Sequence, residues 1–356
     1  MNIPILRLVN HHLGGDLFET PLSVVSWLGA LQAQDLNSAK WAIGVRLKDS
    51  TEKLIDEAIN NGDIIRTHLM RPTWHMVAAD DYLKLLWLTA PNIRSSLKSR
   101  RKQLDLDESF FKKSNPTLKN ILSGGNHLTR EELMIQLSMT IPDIDSSRMN
   151  HILLEAELDG LICSGMIKNK QHSFALVSER LKSKTNKVDF NRDDAIALLT
   201  SKYFLSHGPA TVKDFSWWSG LSIGDCNKGL EMVKNKLEFA EINKVKYWFN
   251  GEMNDTLKDR SFLLPAFDEY IISYKDRSSV LTIEHHGRAV SSNGIFRPVM
   301  VLDGQVVGLW NKSIKKDVLQ IKTEWFLKPQ KSIIKEFEEA GLRYATFLGL
   351  KYRGMI

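Results

Sequence analysis

A chain of 356 residues, 43% hydrophobic and 25% charged, can form two or three domains around a sizeable core, and its composition is that of a globular protein rather than a fibrous or disordered one. Its formal net charge of +6 admits an anionic partner such as nucleic acid without requiring one. Two distant cysteines, Cys163 and Cys226, exclude a disulfide framework and a thiolate metal cluster, and no apolar run of about 18 residues or signal-peptide pattern is present. These features predict a cytoplasmic protein with no membrane partner.

In chain order, Thr20-Pro21 is an N-cap followed by proline at the first helical position, and Val24, Leu28 and Leu31 recur at helical spacing. That helix points its C-terminal end at Gln32-Ala33-Gln34. Glutamines at i and i+2 do not share a helix face, but in extended backbone they point the same way. Two readings follow: surface amides at a helix end, or two amides converging on one small polar object such as a water. Asp35 reads better as a cap than as a charged assistant. Helices are predicted over Ser38–Leu47, after Asp49 or Ser50 as far as Asn61-Gly62, and over Asp80–Leu88. Between the last two, Ile64–Leu69 and Thr73–Val77 read as a hairpin around Arg71-Pro72. Its Arg66, His68, Arg71 and His75 suit contact with DNA phosphates, or a solvated hairpin with histidines satisfied by backbone.

A charged connection is expected from Arg94 to Lys113, then a helix over Pro116–Leu122 closed by Gly124-Gly125. Thr129-Arg130-Glu131-Glu132 is a capping box, and Met149, Ile152, Leu153 and Ala156 mark a helix ending at Asp159-Gly160. Met166-Ile167 and Ser173–Val177 bracket a polar turn in which Lys168 and Lys170 are candidates for phosphate contact. A lysine-rich linker, Lys182–Lys187, leads to helices over Asp193–Leu205, from Thr211 onward, and over Asp225–Leu237, followed by a hairpin around Asn243-Lys244. Trp217-Trp218 are expected to pack between domains. Thus three helices and a wing recur three times.

From Ser261 the pattern changes to strands, with Asp303-Gly304 as a two-residue hairpin turn and a terminal helix from about Pro329. The expected fold class is α+β: three tandem winged-helix modules (residues 1–110, 111–187 and 188–255) and a C-terminal mixed β-barrel-like domain (256–356). His11-His12 and His285-His286 lack acidic or cysteine neighbours at ligand spacing, so neither metal nor cofactor is expected. The adjacent Asp268-Glu269 reads as fold support or a cleft contact rather than a hydrolase pair.

Four blocks, Leu31–Asp35, Arg66–His75, Leu264–Tyr270 and Phe296–Pro298 with Asp303–Gly308, together resemble the winged-helix DNA-binding family that includes the AlkZ-like DNA glycosylases. The resemblance implies three winged helices and a β-barrel-like domain around a DNA cleft, with excision of alkylated purines and, in some members, unhooking of interstrand crosslinks joined through N7 of guanine. It places the catalytic glutamine–apolar–glutamine motif on Gln32, Ala33 and Gln34, and implies a hairpin contribution near the lesion. The expected partner is double-stranded DNA carrying alkylated purines, with no obligate protein partner evident. N7- or N3-alkylation makes the base a cationic leaving group, so oriented water suffices and a glutamine can supply the orientation. With no lysine beside the glutamines in sequence, hydrolysis without strand cleavage is expected. Two alternatives are a non-enzymatic winged-helix DNA-binding regulator and a protein-interaction scaffold.

Overall fold

A computed structural model describes residues 1–181, 191–251 and 256–356. The expected linker Lys182–Lys187, and the domain boundaries expected after residues 187 and 255, touch residues outside that set. The fold is mixed α+β; among the described residues the strand pairs Ile64–Met70/Thr73–Ala78, Ile162–Ser164/Ser173–Leu176 and Glu238–Ile242/Val245–Phe249 each follow a run of helices, and the first run has four helices rather than the expected three. The chain groups into two compact units, one of residues 1–55, 196–218 and 222–356, the other of 56–195 and 219–221.

In the first unit, Thr20 caps the helix Pro21–Leu28 as expected, its side chain accepting from the Ser23 N–H. Gly29 ends the helix at φ 77°, a conformation that costs glycine nothing. The chain then turns into the short strand Leu31–Gln32. Asp35 caps the next helix, Leu36–Gly44, by accepting from the Ser38 N–H at 2.6 Å. The C-terminal sheet has the spatial order 351–355, 318–325, 305–315, 299–302, 261–264. Its neighbours are antiparallel except 318–325 with 351–355. The first and last strands of that order do not pair, so the sheet is an open half-barrel rather than a closed one. The terminal helix Lys331–Leu348 buries Phe337, Tyr344 and Phe347, and Trp41 lies 4.8 Å from the Tyr344 ring and 5.0 Å from that of Phe347. The strand Lys351–Met355 has no counterpart in the sequence reading.

The second unit holds the hairpin Ile64–Met70/Thr73–Ala78 and the helices that follow it. Its core is formed by Leu118, Leu122, Leu133, Leu137, Met149, Ile152 and Phe174, among others. The capping box at Thr129 is present in full. Several expected boundaries need correction. The helix before residue 64 is capped by Thr51, whose hydroxyl accepts from the Leu54 N–H, and not by Asp49 or Ser50. The helix expected at Asp80–Leu88 runs over Ala79–Gln103 and takes in the first half of the expected charged connection. The next helix starts at Glu108 rather than Pro116. Each contains an internal proline, Pro91 or Pro116, where sequence alone favours a break. Tertiary contacts compensate in the first: Arg94 bonds Glu155 at 2.8 Å and also reaches Asp159. The wing's first strand is Ile162–Ser164 rather than Met166-Ile167.

Candidate active site

The glutamine motif sits where the first unit's strand Leu31–Gln32 hands over to the helix capped by Asp35. Gln32 is 5% exposed, Ala33 is buried, and Gln34 is exposed. One amide is therefore held within the fold while its partner, two residues on, meets solvent. The capping reading of Asp35 is correct, and its carboxylate is engaged with helix backbone.

Behind the motif lies a buried polar network. The Gln32 N–H donates to Glu269 Oε1 at 2.5 Å. Trp218 Nε1 donates to Glu269 Oε2 at 2.8 Å, and the Ser273 hydroxyl donates to the same oxygen. His207 Nε2 stands 3.6 Å from Oε2, within ion-pair reach but beyond a hydrogen bond. Burial pushes the Glu269 carboxyl upward, but the His207 contact, the Ser273 hydroxyl and the Gln32 amide outweigh it and bring it down to about 2. His207 is shifted down, chiefly by burial. His11, T-shaped against His207 at 4.8 Å, is lowered further by burial and by the His207, Arg46 and Arg7 charges. His11 Nε2 lies 2.8 Å from the Tyr274 hydroxyl. Asp268 takes both terminal nitrogens of Arg46, at 2.8 and 2.9 Å, with neither side chain exposed. The adjacent acids are thus fold supports facing different partners, as the sequence reading held, and Glu269 touches the motif itself.

The other candidates lie in the second unit. Arg66 is 7% exposed, with its guanidinium 4.2 Å from the Trp74 ring centre. The His68 ring lies tilted against Trp74, with centres 4.2 Å apart, and contacts the buried Glu157 through Nδ1 at 2.7 Å. His75 is fully buried, with Nδ1 3.0 Å from the Thr73 carbonyl. Arg71 occupies the hairpin turn at φ 54° and is partly exposed. In the second wing, Lys168 Nζ pairs with Glu132, the capping-box residue, at 2.7 Å. Lys170 is exposed at φ 64° beside Asn169 at φ 49°, in a tight turn closed by Lys168 and Gln171. Trp74 therefore brings Arg66 and His68 together, while Lys168 and Lys170 occupy a separate wing.

Sequence reasoning missed His207, Trp218 and Arg46. Trp218, expected as a packing residue, donates from the third helical segment to Glu269 of the C-terminal segment and closes the network there; Trp217 donates to the Ile272 carbonyl and remains 40% exposed. A signal for these residues was available. Asp268-Glu269 sits in an apolar, aromatic block, and charges in such a block require buried partners.

Among the described residues no group of His, Cys, Asp and Glu is arranged to hold a metal ion, and no helix is long and apolar enough to cross a membrane. Both cysteines are buried and neither forms a disulfide.

Comparison with known proteins places this geometry in context. A solved structure, the Streptomyces sahachiroi DNA glycosylase AlkZ, matches with a TM-score of 0.81 at 20% identity, covering 100% of this chain and 98% of that one, which shows a common fold. The curated interstrand DNA cross-link repair glycosylase of Streptomyces sahachiroi is 25% identical over 326 aligned positions, covering 81% of each protein. A family model described as DNA glycosylase AlkZ-like matches residues 25–347, from the helix before the glutamines through the terminal helix, and the chain therefore belongs to the AlkZ-like DNA glycosylase family.

Proposed function

We propose that this protein is a monofunctional DNA glycosylase that hydrolyses the N-glycosidic bond of cationic N7- or N3-alkylated purines, with Gln32 and Gln34 as the catalytic residues. The observation that carries the reading is the anchored motif: Gln32 is fixed through its main chain to a buried carboxylate, and Gln34 is exposed two residues later. A carboxamide is a poor base. Its carbonyl oxygen accepts a hydrogen bond from water and its amide donates one, so it orients a nucleophile without needing to take a proton. That modest assistance suits a base whose positive charge already makes it a good leaving group. The same chemistry extends to a crosslink joined through N7 of guanine, and the relative named for crosslink repair supports this extension.

In this reading the three helix–hairpin sets act as winged-helix modules on duplex DNA. Arg71, Lys168 and Lys170 make phosphate contacts from the two wings. Arg66, His68 and His75, which lie largely inside the fold, shape the hairpin around Trp74 and bring it to the sugar-phosphate chain near the lesion. Lys168 exchanges an exposed ion pair with Glu132 for a phosphate at small cost.

The test is single-turnover release of N7-methylguanine from duplex DNA by the wild type, Gln32→Ala and Gln34→Ala. Both variants should bind DNA as the wild type does and release base about a hundredfold or more slowly, because the lost interaction belongs to the transition state. Equal rates for all three proteins would remove the glutamine mechanism. A wild type inactive on N7-methylguanine, N3-methyladenine and crosslinked duplexes would remove the function.

A further inference from the structure

The proposed chemistry uses the side chains of Gln32 and Gln34; what holds the Gln32 main chain is a separate question. Glu269 is fully buried, and both its oxygens are acceptors in this fold. Oε1 receives the Gln32 N–H, and Oε2 receives the Trp218 indole N–H and the Ser273 hydroxyl. The donors come from separate segments: the strand Leu31–Gln32, the helix Val212–Ser219, and the residue directly after the short helix Glu269–Ile272. A carboxylate accepts at every lone pair, so it satisfies all of them at once. An amide or a protonated carboxyl at this position would turn a hydrogen toward one of these donors and leave that contact repulsive.

We propose that Glu269 is a positioning residue for the excision reaction. Its ionised carboxylate locks the main chain of Gln32 and thereby aims the Gln32 carboxamide. The proposal rests on the reading of Gln32 as a water-orienting residue. A charged acceptor makes a stronger bond to a backbone N–H than a neutral one does, and Glu269 offers one to the Gln32 N–H. Catalytic geometry is sensitive at this scale: a displacement of about 1 Å costs on the order of a hundredfold in rate. Trp218, Ser273 and His207 act through Glu269, since each faces its carboxylate.

The experiment compares Glu269→Gln with Ser273→Ala in single-turnover release of N7-methylguanine, alongside DNA affinity and thermal unfolding. Glu269→Gln should excise between about tenfold and a hundredfold more slowly at unchanged DNA affinity. Ser273→Ala removes one donor to Oε2 but keeps the carboxylate and its bond to Gln32, and should slow excision less than Glu269→Gln does; a Ser273→Ala as slow as Glu269→Gln overturns the inference. A folded Glu269→Gln that excises as fast as the wild type overturns the inference and leaves the glutamine mechanism standing. A wild type without excision activity overturns the functional reading, and the inference with it. If Glu269→Gln does not fold, the wild type decides the matter by NMR with glutamine-selective 15N labelling. The Gln32 backbone amide should resonate far downfield and resist hydrogen exchange, and a Gln32 amide that exchanges as fast as an exposed one overturns the inference.

Discussion

Arg46 and Asp268 show what a single buried contact contributes here. The Asp268 carboxylate meets both Arg46 terminal nitrogens, while Arg46 also donates to the carbonyls of His11 and Ala42. Removing one charge leaves the other buried and uncompensated, so Asp268→Asn should cost about 3–5 kcal/mol. Urea unfolding checks this as a lower midpoint at unchanged slope. Glu269 adds a pH dependence. Its folded-state carboxyl, at about 2, lies below the ordinary 4.5, so the native state favours the ionised form. That contribution is fully present above 4.5 and is lost as pH falls toward 2. The urea midpoint of the wild type should fall across this window, and in a folded Glu269→Gln the fall should be shallower. A window of the same depth in both proteins would show that other carboxyls govern acid unfolding. The sequence alone read Asp268-Glu269 as fold support or a cleft contact, but it could not pair them, because Arg46 is 222 residues away from Asp268.

At the scale of elements, local chemistry was legible wherever it was self-contained. The capping box of Thr129 and Glu132, the Thr20 cap and the Asp303-Gly304 turn all depend on neighbours within a few residues. Thr129→Ala should cost about 1 kcal/mol through loss of the cap. The Gly304 position is more demanding. Its φ is 79°, and an added Cβ would lie 2.6 Å from the Pro4 Cβ, so Gly304→Ala combines backbone strain with a clash. It should destabilise by more than about 1 kcal/mol, and the same urea titration reads both variants. The helices Ala79–Gln103 and Glu108–Leu122 escaped sequence reading for a physical reason. Proline removes a helix donor and crowds the preceding turn, so local propensity argues for a break at Pro91 and at Pro116. What carries the first helix onward is distant: Arg94 and Arg101 both reach Glu155, on the helix Ser146–Leu158.

At the scale of the whole molecule, the formal charge of +6, the partly exposed Arg71 and the exposed Lys170 predict binding governed by counterion release. DNA affinity should fall log-linearly with salt. Arg71→Ala and Lys170→Ala should each lower the slope by about one, with the excision rate at saturating protein retained. Affinity that stays flat between low and moderate salt would contradict this. So would a strong preference for one undamaged sequence. Gln34→Ala should leave the slope unaltered, which separates phosphate contact from chemistry in one set of titrations.

The sequence by itself determined that runs of helices precede hairpins, several of the caps and turns, and the glutamine motif with its family resemblance. These are properties of residues close together in the chain, where backbone hydrogen bonds and side-chain periodicity act. Tertiary structure decided what surrounds them. It divided the chain into two compact units at Ile55–Asp56 and Ala195–Ile196, inside helices that look continuous in sequence. It buried Arg66 and His75, although their polarity alone suggests exposure. It also brought Glu269 to the strand that carries Gln32, from 237 residues away, and Trp218 to Glu269, from 51 residues away. A buried carboxylate is stable only when enough donors converge on it, and donors drawn from distant segments have no signature in local sequence.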